Sequence, residues 1–226
     1  MTFEQTLSNL ESQPSWSAKV GPQYNAVSST SYWTKLLSNG WREFGHEAPA
    51  QGGWLSGLND LPIPDGFVSG LVQHRANLMF DASILDWTTG ARILVEFDNR
   101  VADGLGNNFN FSNQINLSNN WMWQVDPETG KWTDTGNRIS PLYPFVWHDI
   151  EFENFIDFQN KKLSFVALTV NKTRYTAPPA LSNLSPMRDP QGHFWKRGAN
   201  LQVQMCRQTA GISLLWAKQI EMGWQA

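Results

Sequence analysis

The clearest pattern in the sequence is an alternation of apolar and polar residues within short segments. In residues 91–101, every second residue from Ala91 to Phe97 is apolar, and the positions between and after them include Glu96, Asp98 and Arg100. A period of two residues is typical of a β-strand that buries one face and exposes the other. We therefore predict a half-buried strand here, with its charged face in water.

Similar β-type runs follow one another along most of the chain. They cover residues 67–72, 77–84, 120–125, 146–155, 163–170, 201–206 and 212–224. Clusters rich in Pro, Gly, Asn and Asp separate them, as turns do. No long amphipathic helix interrupts the series, which favours antiparallel strands over a βαβ arrangement.

The N-terminal third has weaker patterns. Phe3, Leu7 and Leu10 are spaced as on a helix, which predicts a short N-terminal helix or arm within residues 1–15. Residues 16–64 predict strands joined by long loops whose ends the pattern does not define. Together the segments predict an all-β, antiparallel two-sheet jelly-roll sandwich that forms one domain over residues 1–226.

Composition narrows the functions that such a domain could have. The net charge is -3 and no run of Lys or Arg occurs, so we expect no nucleic-acid partner. No long apolar stretch and no leader-like N-terminus occur, so we expect neither membrane binding nor export. Cys206 has no second cysteine to pair with, which favours a reducing, cytoplasmic location; the oligomeric state stays open.

Three segments of the C-terminal half have the patterns of a known kind of β-sandwich domain. Residues 147–152 (WHDIEF) resemble a strand that often opens a hairpin in such domains, and residues 163–175 resemble the strand and turn that follow it. Residues 201–205, with 212–224 after them, resemble the closing hairpin that ends in tryptophan. In these segments the chain resembles the concanavalin A-like lectin/glucanase superfamily, which includes laminin-G-like modules. The resemblance covers roughly residues 90–226 and implies a jelly roll.

The pair Glu96 and Asp98 is the sharpest candidate for acid–base chemistry, because carboxylates two residues apart on a strand project from one face. The pair also resembles the start of the E-x-D-x-x-E motif of family 16 glycoside hydrolases, but Val101 stands where that motif has its proton donor. A retaining hydrolase needs two carboxyl groups about 5–5.5 Å apart, which makes that reaction improbable here. The alternative is a solvated face on which Glu96 and Asp98 pair with Arg92 and Arg100.

The chain has 12 tryptophans, more than a core alone needs, so we expect some to line a cleft. Trp121 and Trp123 are two residues apart and would form a flat platform for a ligand; core packing is the equal alternative. Further ligand-binding candidates are Gln124, Arg100, Trp54 and Trp132.

No cofactor is predicted, and calcium is only a side prospect. Carboxylates alternate at Asp149, Glu151 and Glu153, so that arginine or lysine from a neighbouring strand, or Ca²⁺, would have to offset their repulsion. Residues 103–108 are a loose candidate for a calcium loop. The four histidines lack partners at metal-ligand spacing, so no transition-metal site is expected.

Two functional hypotheses follow from these residues. The first is a ligand-binding jelly roll whose tryptophan-rich concave face holds a glycan or a similar small molecule. The second is a cofactor-independent cyclase, isomerase or lyase that acts on an apolar small molecule in the same pocket. Its acid–base residues would be Glu96, Asp98, His74 and Tyr175. A structural protein without a small ligand is the third class left open.

Overall fold

The computed structural model describes residues 5–20, 31–48, 52–81, 94–116, 121–127, 131–188, 196–207 and 211–226. Its strands in chain order are β1 (Gln5–Leu7), β2 (Ser17–Val20), β3 (Ser31–Leu36), β4 (Arg42–Ala48), β5 (Gly52–Leu61), β6 (Ser69–Phe80), β7 (Leu94–Ala102), β8 (Asn107–Asn116), β9 (Met122–Asp126), β10 (Thr133–Arg138), β11 (His148–Asp157), β12 (Lys162–Val170), β13 (Thr173–Thr176), β14 (Met187–Arg188), β15 (Gly198–Arg207) and β16 (Gly211–Gln225). The described residues also form 3₁₀ turns at Leu10–Ser12 and Pro179–Leu181.

The strands form two antiparallel sheets. The first sheet has the order β13-β12-β11-β6-β16-β4-β3, with β1 paired to β16. The second has the order β10-β9-β8-β7-β15-β5-β2, with β14 paired to β8. The all-β, two-sheet jelly-roll prediction is thereby confirmed. No helix in the described ranges is long and apolar enough to cross a membrane.

The hydrophobic core lies between the two sheets and is rich in aromatic rings. Phe97 of β7 lies 5.5 Å from Phe152 of β11, and Phe111 of β8 lies 5.5 Å from Phe165 of β12, measured between ring centroids. In each of these strands, apolar residues at every second position point to the same side. The apolar side of one sheet therefore packs against the apolar side of the other.

Strand β6 differs from its prediction in length. The sequence predicted two runs, 67–72 and 77–84, whereas residues 69–80 form one strand in which burial alternates at every position. The polar residues Gln73, Arg75 and Asn77 do not interrupt the strand because they point away from the core. Residues 82–84 of the second predicted run lie outside the described residues.

Of the two alternatives predicted for the N-terminus, a helix or an arm, the helix is not formed within residues 5–15, where the chain forms the short strand β1 and a single 3₁₀ turn. A buried arginine holds this turn against the first sheet. Arg42 Nε donates to Glu11 O at 2.7 Å, and Arg42 Nη2 donates to Gln13 O at 3.0 Å. The guanidinium also lies 5.9 Å from the ring centroid of Trp16. Three residues are too few for a stable helix, so these contacts define the turn.

We expect Arg42→Met to destabilise the fold by about 2 kcal/mol, because it removes the hydrogen bonds from the charged guanidinium to the backbone carbonyl groups of Glu11 and Gln13. Methionine keeps much of the aliphatic bulk, so the loss reports on the guanidinium. Urea denaturation measures it, and Arg138→Met is the control because Arg138 is exposed and pairs only with nearby groups of β10. Equal unfolding midpoints for the two variants would contradict the anchoring role.

Candidate functional site

The outer face of the second sheet, opposite the core, is covered by polar side chains from adjacent strands. The β-ladder places Glu96 between Gln114 and Gln204, Asp98 between Ser112 and Gln202, and Arg100 between Asn110 and Asn200. Residues paired across an antiparallel ladder point to the same face. We call this set the polar face; its members are Glu96, Asp98, Arg100, Asn108, Asn110, Ser112, Gln114, Gln124, Asp126, Asn200, Gln202 and Gln204.

The polar face is buried, contrary to the prediction of a solvated face. Glu96 is 5% exposed, Asp98 is 2% exposed and Gln202 is 6% exposed. Polar groups withdrawn from water are costly unless they are hydrogen bonded, and buried charges are costly unless they are paired. Contact with solvent therefore does not explain why this face carries polar side chains.

Glu96 and Asp98 lie two residues apart on this face, and their environments differ from that of a surface carboxylate. Burial and the negative charge of Asp98 raise the pKa of Glu96 to about 9. Burial also raises the pKa of Asp98, although Arg100 and the Ser112 hydroxyl act against that rise. Two adjacent buried carboxyl groups do not both ionise easily, so the pair as a whole holds a proton more strongly than surface carboxylates do.

Among the described residues, Arg100 is the cation nearest to this pair in the ladder, and it makes only a long ion pair with Asp98. Its Nη2 lies 3.7 Å from Asp98 Oδ2, while its Nε donates to Asn110 Oδ1 at 3.1 Å. The side chain is 23% exposed. Val101, the next residue, is fully buried in the core. The position at which the glycosidase motif has its proton donor therefore points away from the polar face.

Several buried polar atoms of the polar face have no hydrogen-bond partner among the described residues. They are Glu96 Oε2, Asp98 Oδ1, Asn108 Oδ1, Asn200 Nδ2 and Gln202 Oε1. Buried polar atoms in native proteins are nearly always hydrogen bonded, and each exception calls for an explanation. Five such atoms on one face of one sheet leave hydrogen-bonding capacity that ordered water or a ligand can satisfy.

Trp121 and Trp123 belong to the core and do not form a ligand platform. Trp123 is 1% exposed, and its Nε1 donates to Asn113 Oδ1 at 3.1 Å. Trp121 precedes β9 with a positive φ of 56° and is 8% exposed within the same apolar cluster. Of the two alternatives, core packing is correct, because β9 turns this side of the strand toward the first sheet.

The four predicted acid–base residues are not brought together. His74 lies on the core side of β6, 6.3 Å from the ring of Phe152, and burial lowers its pKa to about 4. Tyr175 lies on β13 at the edge of the first sheet, where its hydroxyl accepts from Ser140 N at 2.9 Å. Only Glu96 and Asp98 share a face, so the predicted four-residue catalytic set is wrong.

The remaining ligand-binding candidates have different positions. Gln124 lies on the polar face, where its Oε1 accepts from Gln114 Nε2 at 2.7 Å. Trp132 is half-buried between β9 and β10. Trp54 lies on β5, toward the other end of the second sheet, where its backbone pairs with that of Met205 on β15. Gln124 and Arg100 thus stay candidates at the polar face.

The carboxylates considered for calcium are engaged by protein groups. Asp149 forms two hydrogen bonds with Arg75, at 2.9 and 3.0 Å, and Glu153 forms a two-pronged ion pair with Arg174. Asp103 Oδ1 accepts from the backbone N–H groups of Leu105 and Asn107 and so caps its turn. In the described ranges, no group of three or more His, Cys, Asp or Glu side chains is placed to hold a metal ion.

The sequence analysis missed the amide and hydroxyl side chains of β8 and β15. Their signal was present as a second alternation: every other residue from 108 to 114 and from 200 to 204 is Asn, Ser or Gln. Strands with amide side chains on one face, paired with a strand that carries carboxylates on the same face, indicate a polar site. Register was needed to join them, because the strands concerned are far apart in sequence.

Comparisons with known proteins bear on the fold. No family model and no curated protein matches the sequence. Among solved structures, the metal-free carbohydrate recognition domain of Emp46p matches with a TM-score of 0.51 and 8% identity, covering 100% of this chain and 98% of that chain. The β-glucanase of Bacillus licheniformis matches with a TM-score of 0.46 and 10% identity, covering 98% and 95%. Such low identities show the fold alone: the chain is a concanavalin A-like jelly roll.

Proposed function

We propose that this protein binds a hydroxyl-rich small molecule, such as a glycan, on the polar face of the second sheet. The observation that carries the proposal is the group of five buried polar atoms there that lack a partner among the described residues. Each unsatisfied buried group costs about 1–3 kcal/mol. A ligand that supplies the missing hydrogen bonds recovers that cost, and hydroxyl groups can both donate and accept.

The geometry supports binding in two further ways. The polar side chains come from regular strands, which hold their positions more rigidly than loops do. Arg100 and Gln124 are partly exposed, so the polar face reaches solvent at these positions.

The similar Emp46p domain is described as a carbohydrate recognition domain, which agrees with the proposal. An enzyme with the predicted acid–base set fits less well, since His74 and Tyr175 lie elsewhere.

Replacing Gln202 with methionine separates binding from folding. Methionine has a similar volume but no polar atom, so we expect the variant to be as stable as the wild type or more stable by about 1 kcal/mol. We also expect at least a 10-fold loss of affinity for the oligosaccharide that binds best. Calorimetric titration against a panel of oligosaccharides measures the affinity, and urea denaturation measures the stability.

The matched control is Gln73→Met, on the half-buried outer face of the first sheet. It should leave the affinity unchanged. Binding by Gln202→Met with wild-type affinity would show that the ligand lies elsewhere, and absence of binding across the whole panel would contradict a glycan-binding function.

A further inference from the structure

Resting on the proposed function, we infer that the ligand of the polar face carries a primary ammonium group, which binds between the side chains of Glu96, Asp98 and Gln202. An amino sugar and a polyamine share this chemistry. The inference specifies which hydroxyl-rich or amine-bearing molecules the face selects.

The first argument is the balance of charges on the polar face. Among the described residues of the polar face, Glu96, Asp98 and Asp126 are acidic and Arg100 is the cationic member. Arg100 approaches Asp98 only to 3.7 Å and uses its Nε for Asn110. An anionic ligand would meet carboxyl groups at the centre of the face, whereas a cation would be attracted to it.

The second argument is independent of charge and concerns which atoms lack partners. Of the five atoms, Asp98 Oδ1, Asn108 Oδ1 and Gln202 Oε1 are acceptors, Glu96 Oε2 becomes an acceptor when Glu96 ionises, and Asn200 Nδ2 is the single donor. Gln202 is 6% exposed and lies directly opposite Asp98 on the neighbouring strand. An ammonium group has three N–H donors and no acceptor, so it matches this surplus better than a hydroxyl group, which has one donor.

Hydrogen bonds between an ammonium and a carboxylate are charge-assisted, and each contributes more than a neutral one. Binding would also change the protonation of the pair. As the ammonium approaches, Glu96 gives up its carboxyl proton to the solvent buffer, and the resulting carboxylate accepts an N–H of the ligand. One proton is released for each ligand bound, and no covalent bond is formed or broken in the ligand.

The experiment is calorimetric titration of the full chain at pH 6.0 with a glucosamine oligomer, with the N-acetylglucosamine oligomer of equal length, and with spermidine. Each titration is made in two buffers of different ionisation heat, which reveals proton release. We expect the glucosamine oligomer to bind at least 10-fold more tightly than its acetylated counterpart, with release of up to one proton. Calcium chloride is titrated as a competitor.

Variants assign the effect to the two carboxyl groups. Asp98→Asn should reduce the preference for the amine at least 10-fold, and Glu96→Gln should abolish proton release. Glu47→Gln changes an exposed carboxylate of the first sheet and should leave both properties unchanged.

The outcomes separate this inference from the proposed function. Equal or tighter binding of the acetylated oligomer overturns the ammonium group and leaves glycan binding intact. Binding of spermidine without either sugar supports the ammonium group and overturns the glycan. Displacement of the bound amine by calcium would mean a metal site and overturns the inference, and silence from all three ligands overturns both proposals.

Discussion

Raising the pH from 6.5 to 9 should destabilise the wild-type protein by up to about 3 kcal/mol, and Glu96→Gln should lose most of that dependence. The pKa of Glu96 rises from 4.5 to about 9 on folding, because the side chain is buried beside Asp98. Between these values the folded state holds a proton that the unfolded state does not. Stability therefore falls with rising pH, by at most about 1.4 kcal/mol per pH unit for one proton.

The window starts at pH 6.5 because His74 acts in the opposite sense below it. Burial lowers the pKa of His74 from 6.5 to about 4, so the unfolded state takes up a proton first as the pH falls, and stability is lost there. Urea denaturation of wild type and Glu96→Gln at pH 6.5, 7.5, 8.5 and 9 tests the expectation. A parallel pH dependence in the two proteins would show that Glu96 is ionised at neutral pH. Glu47→Gln is the control and should retain the wild-type slope.

Gly70→Ala should destabilise the fold by about 3 kcal/mol. Gly70 is the second residue of β6, a strand in the middle of the order of the first sheet, and has a φ of +153°. A Cβ at this position would lie 2.0 Å from the carbonyl oxygen of Gln225 on the neighbouring strand β16. That oxygen belongs to the backbone and cannot rotate away, so the strands would have to separate locally.

Gly66→Ala is the matched control, because Gly66 also has a positive φ, of +79°, but a Cβ there meets no atom within 4 Å. Its cost should be about 1 kcal/mol, from the backbone conformation alone. Thermal unfolding of both variants gives the comparison, and equal melting temperatures would show that β16 adjusts without loss.

The alternation of side chains was sufficient to predict the sandwich. The strands predicted at 163–170 and 201–206 agree with β12 and with the middle of β15. Alternation could not show whether a polar face is wet or buried, because it reports which residues share a face and not what covers that face. Hence Glu96 and Asp98 were placed on one face correctly but in the wrong environment.

Tertiary register limited the prediction of the site. Spacing alone put Trp121 and Trp123 together, and both are in the core, whereas the partners of Asp98 come from positions 14 residues later in β8 and more than 100 residues later in β15. Single-sequence patterns describe one strand at a time. A site assembled across four strands becomes visible only when the strands are aligned.

The five unsatisfied atoms of the polar face also give a way to find the ligand without knowing its chemistry. A molecule that binds only the folded protein stabilises it by about 2.7 kcal/mol at a concentration 100 times its Kd. For a domain of this size, 1 kcal/mol shifts the melting temperature by roughly 2–4 °C. A metabolite library can therefore be screened by thermal shift with wild type and Gln202→Met side by side. The natural ligand should be the compound that raises the melting temperature of the wild type only.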